Sequence, residues 1–413
     1  MRFSSKSLIK SALSVVSVAL VLALVLSRTF YLHSMMAVFM AVAIAGILPM
    51  HLSVRPLRDL LPVTLVAGAL VAIQCWVLGI PPHFASSACI VGLSSGLVVA
   101  FHAIWTNDLH ERRTMLYVLV PSFLLSFSDW TAATTLAWSE ALHPKALDLF
   151  LYKFDCSLGF EPSFLVGQWF HQWHWLHAVC LAIYVGLPIP LGLVYGQKLK
   201  TKGTAAIAVF WAFLVTGPIG VLFFNILPAM GPIHVFPGFP HYPLTIDQAR
   251  RLALDPVLLP GARNAIPSLH MAWVLLAWWS ARDLSRWVRG VAIVFVVGTA
   301  LATLGLGEHY LIDLIVACPF ALMIHATFLT TAPLQLRKTS AFAGVCATLA
   351  WFAMLSFDNR FFWIGRAVPW LAVIATVAGA SWLVYKLGTP QPEMAIEQSA
   401  NDAPMVLATV GQE

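Results

Sequence analysis

Twelve stretches of this chain are long and apolar enough to cross a bilayer, and no other feature restricts its fold as much. A spanning helix needs roughly 20 mostly apolar residues. Such stretches lie near residues 11–31, 35–54, 60–80, 86–105, 115–138, 174–196, 204–227, 266–284, 287–306, 309–330, 340–357 and 367–387. The expected fold is therefore all-α, a polytopic membrane protein with about 12 transmembrane helices. Composition agrees, with 60% hydrophobic and 10% charged residues, a balance that water-solvated surfaces do not sustain. The first stretch follows Arg2, Lys6 and Lys10 as a signal peptide would. No small-residue cleavage site follows it, so it reads as a retained helix.

The formal net charge of +6 is what cytoplasmic anchoring loops produce, so it gives no reason to expect nucleic acid. Alternate loops divide the basic residues unequally. One set holds 16, including Lys198, Lys200, Lys202, Arg282, Arg286 and Arg289; the other holds 8: Arg28, Lys145, Lys153, Arg250, Arg251, Arg263, Arg360 and Arg366. The richer set is assigned to the cytoplasm together with both termini. Two long segments, near 139–173 and 228–265, then face outward. The first, with its WFHQWHW stretch, suits short interfacial helices, and the Pro- and Gly-rich second suits a structured loop. The six cysteines form no CxxC pair and read as small buried side chains, except Cys156, which lies in a polar loop with no obvious partner.

Chemistry concentrates in two strings, Ile266-Pro267-Ser268-Leu269-His270 and Gly307-Glu308-His309-Tyr310-Leu311-Ile312-Asp313. His309 and Asp313 are four apart and share a helix face. The carboxylate fixes the tautomer of the imidazole and leaves its other nitrogen as a nucleophile. The intervening span returns the chain, so His270 and His309 both fall near the outer ends of their helices. A nucleophilic His with a second His that donates a proton suits phosphoryl transfer without a metal. Two other readings stay open: a structural His–Asp pair within the membrane, and a zinc site lacking a closed set of four ligands.

P-S-L-H followed by H-Y-x-x-D resembles the type 2 phosphatidic acid phosphatase (PAP2) superfamily, whose usual motifs are P-S-G-H and S-R-x5-H-x3-D. The wording is closer to the inositol phosphorylceramide synthase branch, and Leu227-Pro228-Ala229-Met230-Gly231-Pro232 is similar to a loop of that branch. The resemblance covers roughly residues 150–330. It implies a six-helix catalytic core with phosphohistidine chemistry on lipid phosphates, in which His270 matches the general acid, His309 the nucleophile, Asp313 its orienting partner and Ser268 a phosphate contact. It also sets a catalytic membrane domain (141–331) between N-terminal helices (1–140) and two C-terminal helices (332–387), and residues 388–413 read from their polar composition as a disordered tail.

The chain departs from the pattern at the phosphate's cationic clamp. Thr303 stands where the superfamily has arginine, and no intact K-x6-R-P string occurs. Arg263 is the first candidate replacement, Lys153 the second and Arg250 with Arg251 the third. Asp155, near where that first motif would fall, is a further substrate-site candidate. Asp129, inside the fifth stretch, is an intramembrane acid with no assigned role. The expected function is a lipid phosphotransferase or phosphatase with no cofactor. Its partners are a phospholipid or lipid phosphate and, for a transferase, an acceptor such as ceramide or diacylglycerol. The alternative of another class is a lipid transporter or binder on the same scaffold.

Overall fold

The computed structural model describes residues 35–389 apart from 78, 80 and 358. The first apolar stretch (11–31), nearly all of the expected tail and the side chain of Asp129 lie outside what is described. Helices dominate. An N-terminal group comprises α1 (Met35–Ala45), α2 (Ile47–Val54), α3 (Leu60–Ala72), α4 (Phe84–Trp105) and α5 (Leu109–Leu142). Two short helices follow, α6 (Asp148–Ser157) and α7 (Pro162–Gln172), then α8 (His174–Val185), α9 (Pro188–Lys202) and α10 (Ile207–Phe224). The loop beyond carries α11 (Pro232–Val235) and α12 (Ile246–Arg251). Five helices complete the described chain: α13 (Leu269–Ser280), α14 (Arg286–Gly305) and α15 (Leu311–Phe328), with α16 (Leu334–Phe357) and α17 (Ala367–Gly388) after them.

Among the described residues, seven helical runs are long and apolar enough to cross a membrane, and three shorter apolar helices accompany them. That is fewer than the twelve spans expected. Part of the difference has a local cause. The stretch 174–196 is divided between α8 and α9, because Gly186 caps α8 and Pro188 and Pro190 open α9; proline lacks the N–H that a helix interior needs but fits its first turn. Gly203, at φ +57°, then ends α9.

The two long segments near 139–173 and 228–265 are both ordered. They meet in a two-stranded antiparallel ribbon, β1 (Lys145–Ala146) with β2 (Val257–Leu258). The second loop also carries a capped helix, in which Thr245 and Gln248 satisfy each other's backbone N–H groups at the start of α12.

Helix α15 lies at the centre, packed against α10, α13, α16 and α17, and is the most buried of the long apolar runs. The N-terminal group packs around α4 and joins the rest mainly where α2 meets α9. That seam depends on small residues. A Cβ on Gly192 would lie 2.7 Å from the Gly46 carbonyl, and one on Gly196 would lie 2.7 Å from the Ser53 Cβ. Close backbone approach of this kind joins helices in lipid, where burial of apolar surface gives little preference for protein over acyl chains.

Candidate active site

Helix α15 begins at the site. His309 Nδ1 lies 3.3 Å from the Asp313 Oδ2, and Asp313 is fully buried while His309 is 4% exposed. The same carboxylate oxygen accepts the Tyr310 N–H at 2.8 Å, capping the helix from its third position. The backbone of His309 is held on two sides: its N–H donates to the Thr303 carbonyl at 3.2 Å, and its carbonyl accepts the Ser163 hydroxyl at 2.8 Å. The imidazole therefore has a fixed position and one nitrogen without a protein partner among the described residues.

Two remote acids build the frame around this helix start. Asp155, on α6, accepts the Leu311 N–H at 2.7 Å and the Ile312 N–H at 3.1 Å. It therefore satisfies two of the donors that every helix N-terminus leaves open, with a charge that suits the helix dipole. Asp148, also on α6, accepts N–H groups from Met230 at 3.1 Å and Gly231 at 2.8 Å. Burial pushes Asp148 up to about 6 against those donors. Gly231 has φ +118°, and a Cβ there would lie 2.3 Å from the Glu308 carbonyl oxygen. The Leu227–Pro232 loop is thus pressed directly against the loop that carries His309, and the Ile233 N–H donates to the Gly307 carbonyl at 3.0 Å.

Ser268 is fully buried; its hydroxyl caps α13 by accepting the Met271 N–H at 3.4 Å, and its own N–H donates to the Asp313 carbonyl at 3.1 Å. This backbone bond ties the first motif to the second. His270 stacks on Tyr184 with ring centroids 4.0 Å apart and planes at 16°, and Phe39 and Trp273 pack at its edges. Its ring nitrogens have no hydrogen-bond partner among the described residues.

His270 and His309 line one cavity of about 330 Å³. Asn264 and Glu308 add polar groups, and the remaining wall is mostly aromatic and aliphatic. Helices outside the motif region contribute substantially, through Phe39, Ala43 and Met50 from α1 and α2 and Leu125 and Leu136 from α5. Neither these residues nor Tyr184 carries a signal in the sequence beyond membership of an apolar stretch.

The candidate cations are elsewhere. Arg263 is fully buried, and all five of its N–H donors face protein acceptors: the carbonyls of His143, Pro144, Leu259 and Gly261 and the Met230 sulfur. It clamps the ribbon and the loop after it. Lys153 donates to the Leu252 carbonyl at 2.9 Å, and Arg250 and Arg251 are exposed on α12. None of the four lines the cavity. Thr303 bonds back into its own helix through Oγ1. Among the described residues, no group of three or more His, Cys, Asp or Glu is placed to hold a metal ion.

Residues 149–327 match the family model of the PAP2 superfamily. The match runs from the second residue of α6 to the last but one of α15 and includes both histidine strings. It points to a phosphatase or phosphotransferase of the lipid type and does not single out the inositol phosphorylceramide synthase branch. No curated protein and no solved structure matches the chain.

Proposed function

We propose that this protein is a membrane-embedded lipid phosphotransferase or phosphatase that works through a phosphohistidine at His309. The observation that carries this reading is the shared cavity. His309 and His270 both line it, and Asp313, which does not, holds the His309 Nδ1. In the first step the Nε2 lone pair of His309 forms a bond to phosphorus while the bond to the leaving oxygen breaks, and His270 gives that oxygen a proton. Asp313 stabilises the charge that develops on the imidazole. In the second step His270 takes a proton from the incoming hydroxyl, which attacks phosphorus and frees His309. Asp155, Ser163 and Ser268 act as positioning residues, because each holds backbone next to His309 or His270. The uneven distribution of basic residues favours the non-cytoplasmic face for the reaction.

The incoming hydroxyl is water in a phosphatase and a lipid alcohol in a transferase. The apolar wall, to which α1, α2 and α5 contribute, favours the lipid alcohol, since it excludes bulk water and accommodates acyl chains. This is an inositol phosphorylceramide synthase-like reaction, with ceramide or diacylglycerol as acceptor.

The test uses purified protein in detergent with labelled phospholipids and lipid phosphates, with and without ceramide or diacylglycerol, and with a chelator present. The expected result is headgroup transfer or phosphate release that survives chelation, with an acid-labile phosphoryl label on the protein. His309→Ala should lose both the turnover and the label. Equal turnover in the variant would overturn the mechanism. Tight lipid binding without turnover across a wide panel would instead identify a binder or transporter.

A further inference from the structure

A second cavity, of about 450 Å³, lies at the other end of α13 and α15, away from His270 and His309. It is enclosed by the last turns of α9, α13, α15 and α17 and by the start of α10. Lys198, Lys202, Arg282 and Asp283 line it, with His325 among its buried residues.

Lys198 pairs with Asp283, and Lys202 lies 3.8 Å from the same carboxylate. Three cations against one carboxylate leave an excess of two positive charges. Helix C-termini attract cations, and Arg282 partly serves that purpose by donating from one guanidinium nitrogen to the Val384 carbonyl at 2.9 Å. Among the described residues no other acceptor meets Arg282, so most of its five N–H groups are unengaged. His325 is 7% exposed and packs its ring against Trp279 at 5.6 Å. Its ring nitrogens have no hydrogen-bond partner among the described residues, yet a buried imidazole normally has one. A cavity that combines excess positive charge, a guanidinium with free donors and an unpartnered buried imidazole is complementary to a small multivalent oxyanion.

We propose that this cavity binds the phosphate ester of an anionic lipid headgroup, in the leaflet opposite the one that His309 faces. The depth is right for a headgroup, since the cavity sits among helix ends that carry basic residues. Tyr385 lines it, and the next residue, Lys386, lies over the Trp382 ring at 3.9 Å; both aromatics belong at a membrane interface. The site lies on α13 and α15, the two helices that carry the histidine strings, but does not depend on chemistry at His309.

The experiment measures lipid retention by native mass spectrometry and unfolding temperature in detergent, with phosphatidylglycerol, phosphatidylcholine, glycerol phosphate and inorganic phosphate as probes. Phosphatidylglycerol should bind in preference to phosphatidylcholine and raise the unfolding temperature. Arg282→Gln and His325→Gln should each weaken that binding by about tenfold or more. Competition by glycerol phosphate or inorganic phosphate would show that the phosphate group alone is recognised; no competition would show that the lipid chains are also needed. A wild-type protein that treats the two lipids alike would overturn the proposal. So would folded variants of both residues with undiminished preference for phosphatidylglycerol.

Discussion

Arg263 and Arg282 flank α13 at opposite ends, and their surroundings differ in kind. The guanidinium of Arg263 faces four backbone carbonyls and a methionine sulfur, whereas that of Arg282 faces one carbonyl. The sequence recommends Arg263 as an anion clamp, because it precedes the Pro-Ser-Leu-His string, and treats Arg282 as one more cytoplasmic anchor. The structure gives Arg263 a scaffold role and leaves donors free on Arg282. A cation's proximity to a motif thus says little about its availability, which depends on how many carbonyls the fold turns toward it. The cavity shared by the two histidines contains Glu308 and, among the described residues, no Lys or Arg. Phosphate oxygens there would have to be held by neutral N–H donors such as Asn264 and by His270.

The largest effect expected at that end of the molecule follows from removing His270, the proposed proton donor. His270→Ala should lower turnover by ~10²–10⁴-fold, the usual worth of a positioned acid–base group, while lipid binding persists. Steady-state rates and a binding assay in parallel check this. Arg263→Ala comes next and acts on stability. It leaves buried carbonyls without donors and opens the ribbon, so a loss of about 3–5 kcal/mol is expected in detergent unfolding. If Arg263 were an anion clamp, the substitution would raise KM in a normally stable protein.

Asp155→Asn should cost less, about 1–2 kcal/mol, since the amide keeps one acceptor for the start of α15 and loses the other with the charge. Turnover should fall further than stability implies, because the same turn carries His309. A rate equal to wild type in the folded variant would remove Asp155 from the positioning set.

Much of the site was legible and much of its support was not. The i,i+4 spacing of His309 and Asp313, and the placement of Ser268 and His270 at a helix start, are local patterns, and one short-range rule predicts each. The bond from Asp155 to the start of α15 spans 156 positions of sequence. No periodicity reports such a contact; the position of Asp155 in the sequence suggests only a substrate-site candidate. The same holds for Asp148 and Gly231, whose roles depend on a loop folding back against Glu308. For the fold, helical content was plain from apolar length, but breaks such as Gly186–Pro188 reduce the number of uninterrupted spans. The contribution of α1, α2 and α5 to the cavity is a matter of tertiary packing, which a run of apolar residues does not encode.

A titrating group extends the contrast to pH. Glu161 is buried beside the Tyr152 hydroxyl, which donates to it at 3.0 Å. Burial raises it from 4.5 to about 7. The folded state therefore holds this proton more tightly than the unfolded chain. Stability is then full below pH 4.5 and declines as pH rises toward 7. Glu161→Gln should match wild type at the acid end and exceed it above pH 7 by up to ~3 kcal/mol, with a flatter pH profile. A wild-type profile already flat across that window would show the carboxyl to be solvated.

The smallest effect is expected from Arg282→Gln in detergent without added anionic lipid. Only one hydrogen bond, to the Val384 carbonyl, is lost, and removing one of three cations relieves repulsion around Lys198 and Lys202. The two changes oppose each other, so unfolding free energy should stay within about 0.5 kcal/mol of wild type. Placed beside Arg263→Ala, this variant tests the comparison directly. Two arginines that flank one helix should differ several-fold in what their loss costs, and the arginine with free donors should be the one that matters only when a phosphate ester is present. If Arg282→Gln proved as destabilising as Arg263→Ala in lipid-free detergent, Arg282 would be a structural clamp as well, and its open donors would have to be met by groups within the protein.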